Sequence, residues 1–162
     1  MKSSSVVSPT SINQWSSTMS KLNCLLKSDA GYEALLLRVP VGLILAAHGA
    51  QKLFAWFGGY GLEGTGQWMG SIGLEPGYLM ALLAGSGEFF GGLMLVFGLL
   101  TRVGAALNVV AMAVALFWVH FANGLFLSNN GYEYALALLA ATASLLVMGG
   151  GKLSVDKLLA KS

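Results

Sequence analysis

LMALLAGSGEFFGGLMLVFGLLTRVGAALNVVAMAVALFWVHFAN, residues 79–123, is apolar almost without interruption, and its only formally charged residues are Glu88 and Arg102. A bilayer core about 30 Å thick is crossed by roughly 20 helical residues, each advancing about 1.5 Å. The stretch is long enough to cross twice, and Thr101 and Arg102 mark the reversal, so residues 79–100 and 103–123 form a tight antiparallel hairpin of helices. Upstream, residues 34–57 meet the same length and apolarity. Downstream, residues 132–148 are short for a span but gain interfacial anchors from Tyr132 and Tyr134. The predicted fold is all-α, a polytopic four-helix transmembrane bundle over residues 34–150, with an amino-terminal tail (1–33) and a carboxyl-terminal tail (151–162).

The composition excludes other classes. Hydrophobic residues make up 56% of the 162 and charged residues 10%, against about 25% charged in an ordinary soluble domain. A dispersed net charge of +2 is too weak for a nucleic-acid surface, so no nucleic-acid partner is expected. The single cysteine, Cys24, allows no internal disulfide, CxxC pair or thiolate zinc site.

Lys and Arg set the orientation. Lys2, Lys21 and Lys27 lie in the first tail, Arg102 in the central turn, and Lys152, Lys157 and Lys161 in the last tail; the loop 58–78 carries Glu63 and Glu75 and no basic residue. Both termini are therefore expected in the cytoplasm of a bacterial cell, with the chain multi-pass in the inner membrane. No cleaved signal peptide is expected, because the first thirty residues lack a continuous apolar run. Within them Ile12, Trp15, Met19, Leu22 and Leu26 recur at spacings of 3 and 4, the stripe of an amphipathic interfacial helix.

Gly59, Gly61 and Gly64 fit G-x-G-x-x-G. That fingerprint binds a pyrophosphate only where a strand turns into a helix. Here it follows a membrane helix, so no dinucleotide is expected; a short re-entrant or interfacial segment capping the outer end is the better reading.

Ionisable groups inside a span are costly and require an explanation. With the first span running outward and the second inward, His48 and Glu88 both lie roughly 13 Å from the outer boundary, and Lys52 about half as deep. His48, Gln51 and Lys52, spaced i, i+3 and i+4, share one helix face, which is the natural partner for Glu88. Gly87 and Gly91 bracket Glu88 in a GxxxG spacing that admits close helix approach. His120 and Glu133 fall at the outer ends of the third and fourth spans. His48, Lys52, Glu88 and His120 form a candidate proton-transfer cluster, with Gln51 and Glu133 as candidate pocket residues. A second reading stays open, in which Lys52 and Glu88 neutralise each other and lock the bundle. The carboxylates and imidazoles are suitable metal donors, but none shares a helix with another at diagnostic spacing, and no metal site is assigned. His48 and His120 differ in depth, which argues against haem. Arg38 and Arg102, at the inner boundary, are accounted for by snorkelling and topology, and Asn108 by interhelical hydrogen bonding.

LLLRVPVGLILAAHGAQKLF (35–54), ALLAGSGEFFGGLMLVFGLLTRVGA (81–105), FWVHFANGLF (117–126) and GYEYALALL (131–139) together resemble the DoxX family of bacterial inner-membrane proteins, over about residues 33–158. The resemblance implies a four-helix membrane fold with His48, Gln51, Lys52, Glu88, His120 and Glu133 in recurrent motifs. It also implies association with quinol oxidase, thiosulfate:quinone oxidoreductase or thiol and oxidative-stress complexes. The functional expectation is a membrane subunit with a protein partner in a redox complex, its outer polar pocket receiving a quinone or other small redox molecule. The alternative is a non-enzymatic scaffold or a small-solute or metal carrier. No cysteine accompanies the cluster, which argues against thiosulfate oxidation by this chain alone.

Overall fold

The computed structural model describes residue 23 and residues 25–160. The amphipathic stripe expected over residues 12–26 lies outside them except for Leu26, which is buried. Six α-helices follow in order: α1 (Glu33–Phe54), α2 (Gly61–Ser71), α3 (Gly77–Phe97), α4 (Thr101–Val114), α5 (Glu133–Met148) and α6 (Val155–Leu159). The chain of α4 continues as a π-helical stretch, Ala115–His120, and a 3-10 turn, Phe121–Asn123. The protein is an all-α membrane bundle. Among the described residues, Glu33–Phe54, Gly77–Phe97 and Thr101–Asn123 are long and apolar enough to cross a bilayer; Glu133–Met148 is apolar but has 16 residues.

Small residues fix the packing. The interface of α1 with α3 is the most extensive in the molecule. A Cβ on Gly42 would lie 2.6 Å from the Gly92 carbonyl, and one on Gly49 would strike the Phe89 backbone. Backbones this close exchange dispersion contacts that larger side chains would forbid. Gly91 belongs to a different face, against Asn108 and the Gly104 carbonyl of α4. The expected Gly87/Gly91 pair is thus divided: Gly91 makes the close contact, while a Cβ on Gly87 would meet Leu107 at 3.9 Å and the Gly87 carbonyl accepts from Asn108 Nδ2 at 3.4 Å. The core between the helices is Val41, Leu45, Leu95, Ala105, Met112, Leu138 and Leu145.

The reversal between α3 and α4 falls earlier than the sequence suggested. Gly98, at φ 64°, ends α3, with Leu99 N–H donating to the Met94 carbonyl, the Schellman arrangement glycine favours. Thr101 and Arg102 are already the first turn of α4. That turn is capped from far along the chain: the Asp156 carboxylate accepts from Leu100 N at 2.6 Å and Thr101 N at 2.9 Å. Asp156 arrives because residues 149–151, all glycine, fold α6 back under the bundle.

Arg38 is a correction. Rather than snorkelling, it is 1% exposed and donates to the carbonyls of Leu95, Val96, Gly150 and Leu153. The last carbonyls of α3 lack intrahelical partners, so a fork of fixed donors satisfies them and ties the α6 segment to α1.

Candidate functional site

The site grows out of the α1–α3 contact. Glu88 lies three residues after Gly85, whose Cα faces Leu53 and Lys52, and Lys52 lies three residues after Gly49. Helical periodicity therefore turns both charged side chains into the same seam. Lys52 Nζ donates to Glu88 Oε2 at 2.6 Å. The Glu88 side chain is 5% exposed and that of Lys52 24%. Lys52 also occupies the last turn of α1, where a cation meets the negative end of the helix dipole. Among the described residues Glu88 Oε1 carries no hydrogen bond, so the carboxylate retains acceptor capacity beyond its ion pair.

Beside this pair lies a cavity of about 670 Å³, walled by α1, α2, α3, α4 with its π-helical extension, and α5. His48, Lys52, Glu88, His120 and Tyr134 are the polar groups at its wall, and the rest is mostly aliphatic, methionine and tryptophan surface. His48 stands one turn before Lys52, with its ring centroid 6.1 Å from that of Tyr134. His120 ends the π-helical stretch; its Nδ1 lies 2.9 Å from the Asn130 carbonyl. A carbonyl only accepts, so Nδ1 is the donor of that bond and Nε2 is left for other partners. A π-helical turn widens the helix by one residue per turn, and such turns are frequent where a helix borders a functional site.

The structure thus brings His48, Lys52, Glu88 and His120 to one cavity. Gln51 and Glu133 do not line it, although the Gln51 side chain hydrogen-bonds that of His48. Gln51 Nε2 donates to the Phe57 carbonyl at 3.2 Å, and Glu133 Oε1 accepts from Leu127 N at 2.6 Å. Both side chains hold loop backbone whose groups have no helical partner. Among the described residues no three His, Cys, Asp or Glu side chains converge as a metal-ligand set. Asn108 is fully buried and donates to the Gly104 carbonyl of its own helix at 2.9 Å and, as expected of interhelical bonding, to the Gly87 carbonyl of α3 at 3.4 Å. Sequence reasoning assigned Tyr134 only to anchoring, whereas it also lines the cavity beside His48, a proximity that no sequence pattern marks.

A bundle with membrane-length helices and an ion pair beside a mainly apolar cavity defines an all-α membrane protein with an internal cavity. The DoxX family model matches residues 34–121, and the chain belongs to that family. "Putative oxidoreductase CatD" of Bacillus subtilis (strain 168) is 36% identical over 104 residues, covering 64% of this chain and 71% of that one. The inner membrane protein YqjF of Escherichia coli (strain K12) is 36% identical over 107 residues, covering 62% and 76%. An uncharacterized protein of Haemophilus influenzae is 32% identical over 128 residues, covering 77% and 89%. No solved structure gives a significant match.

Proposed function

We propose that this protein is a four-pass inner-membrane subunit of a redox system, and that its cavity receives a quinone or quinol whose protons are exchanged through Glu88, Lys52 and His48. The observation that carries the reading is the Lys52–Glu88 pair, held in a seam between spans and bordering a cavity of about 670 Å³. That volume falls within the roughly 300–1,000 Å³ of ordinary small-molecule pockets, which are mainly apolar with a few fixed polar groups. Two charges taken out of water cost several kcal/mol each before their attraction repays them, and in a membrane such residues mark proton or substrate paths.

Oxidation of a quinol to a quinone releases two protons and two electrons. The electrons pass to a partner protein, and the protons leave through groups on this chain. Glu88 Oε1 accepts a hydroxyl hydrogen bond and is the first base in reach, the Lys52 ammonium holds that carboxylate in place, and the His48 imidazole at the same cavity wall is the second base. Reduction runs the same path in reverse. The CatD name supports a redox setting. Arg102, Lys152 and Lys157 at the α6 end, against Glu63 and Glu75 at the α2 end, support cytoplasmic termini and an outward-facing cavity.

The test is purification in mild detergent with quinone extraction and identification of co-purifying proteins, for the parent and for Glu88→Gln. Bound quinone in the parent, reduced at least about tenfold in the variant, is the expected result. A quinone-free parent that retains no added quinone overturns the reading and leaves a scaffold or a solute or metal carrier.

A further inference from the structure

The backbones of α3 and α4 are brought together by glycine at one level, Gly91 with Gly104. A Cβ on Gly104 would lie 2.8 Å from both the Gly91 carbonyl and the Met94 side chain. One turn nearer the α2 end, Gly87 faces Leu107 at 3.9 Å, and beyond it the space between the two helices is cavity. Met80 and Leu83 of α3 and Val110 and Val114 of α4 lie on that side of the Gly91–Gly104 contact, and all four line the cavity. Leu83 is 58% and Val110 65% exposed, against 6% for Met112 and Leu138 elsewhere in the same cavity wall, so the cavity surface alone does not account for their exposure. These are apolar residues on membrane-length helices, so the surface they share is lipid-facing. The same side chains therefore belong to the cavity and to the bilayer boundary.

The opening has a sill and a lintel. The Gly91–Gly104 contact closes it on the α6 side. On the α2 side, Trp118 Nε1 donates to the Ile72 carbonyl at 3.0 Å, bridging the π-helical stretch to the end of α2. The route from the α2 end is roofed by α2 itself, whose Trp68 and Met69 form that part of the cavity wall.

We propose that this gap is a lateral portal, and that the substrate is a membrane-dissolved molecule with a long apolar chain: its polar head rests at Lys52–Glu88 and its chain leaves between Leu83 and Val110 into the lipid. The inference rests on the quinone-site reading above and adds to it the tail, the entry route and the residues that select for both. A tail left in the bilayer keeps its apolar surface out of water throughout binding. A tail-free ring gains nothing from the portal.

The test uses immobilised purified protein in detergent and two probes, a benzoquinone bearing a decyl chain and the same ring bearing a methyl group. Comparing a variant with the parent for one probe cancels that probe's partition into detergent. Leu83→Trp and Val110→Trp fill the portal from positions where added bulk meets no core side chain. Each is expected to weaken the decyl probe about tenfold and the methyl probe by less than about twofold. Glu88→Gln is expected to weaken both. Leu43→Trp, 56% exposed on α1 and away from the cavity, is expected to change neither. The portal is overturned if the two tryptophan variants weaken both probes equally or weaken neither, or if Leu43→Trp lowers decyl binding as much as they do. A Glu88→Gln effect in those cases leaves the quinone site standing. If the parent binds neither probe, or Glu88→Gln changes neither, the site reading falls and the portal with it.

Discussion

Replacing Asp156 with Ala tests whether a five-residue helix near the carboxyl terminus holds two membrane helices in register. The Asp156 carboxylate is 1% exposed and accepts from Leu100 N at 2.6 Å and Thr101 N at 2.9 Å. A hydrogen bond to a charged group contributes about 1.5–3 kcal/mol net, so the pair is worth roughly 3–6 kcal/mol before relaxation. Leu100 is partly exposed and its N–H regains water, whereas Thr101 is fully buried and its N–H does not. The net loss for Asp156→Ala is therefore about 3 kcal/mol, above the roughly 1 kcal/mol of an ordinary helix cap. Asp156→Asn keeps one acceptor oxygen and is expected to lose about half as much. Leu159→Ala, in the same short helix but half exposed, should stay within about 0.5 kcal/mol. The measurement is unfolding in mixed micelles of mild and denaturing detergent, followed by circular dichroism, with proteolysis of the carboxyl-terminal segment as a second readout. An Asp156→Ala protein within about 0.5 kcal/mol of the parent, or one no more damaged than Leu159→Ala, refutes the capping argument.

Two further outcomes follow from the packing and the charge distribution. Gly49→Val places a Cβ against the backbone of Phe89 and within 2.7 Å of the Gly85 carbonyl; backbone cannot give way as a side chain end can, so the variant should lose at least about 2 kcal/mol in the same assay, along with quinone binding, as Lys52 parts from Glu88. Alkaline phosphatase fused at Gly64 should be active and at Arg102 inactive, because the enzyme matures only outside the cytoplasm; the opposite pattern would invert the proposed topology.

The helical membrane class was legible because apolar runs of span length have few alternative readings. The helix face that meets Glu88 was legible too: depth matched Glu88 with His48, and the i, i+4 spacing put Lys52 on the same face, where the bond forms. The α2 helix was harder to read. GLEGTGQWMGS holds Gly61, Gly64, Gly66 and Gly70, a composition that disfavours helix by about 1 kcal/mol per glycine relative to Ala. Its backbone is helical because Gly66 and Gly70 let it lie against Gly77 and Tyr78 at the start of α3, a tertiary gain that no local window contains. Gln51 and Glu133 stand behind the cavity wall for a related reason. Each sits where a helix meets a loop, and the unpaired loop backbone there claimed a side chain whose residue type suggested a pocket. Arg38 and Asp156 answer to helix-end groups more than fifty residues away in sequence, and those groups carry no mark in the amino-acid string.

The division of labour on α3 explains how one helix can pack tightly and still border a cavity. Gly85 and Gly92 face α1, and Glu88 falls between them, so the carboxylate is carried into the tightest seam of the bundle, where Lys52 is the cation in reach. Gly91, turned about 100° from Gly92, takes the α4 backbone instead. Gly87 lies on the same side as Gly91, one turn away, and a straight α4 would close on it as it closes on Gly91. It does not close there: α4 passes Gly87 at 3.9 Å and, six residues after Asn108, gives way to the π-helical stretch 115–120. The added residue per turn carries Val119 and His120 to the cavity wall and leaves Trp118 to reach the Ile72 carbonyl. A deletion of one residue within 115–119 would restore the α-helical period, rotate His120 by about 100° and break the Trp118 bridge. Its expected signature is loss of decyl-probe binding with the Lys52–Glu88 seam intact, and retention of that binding would show that the widened turn has no part in shaping the cavity.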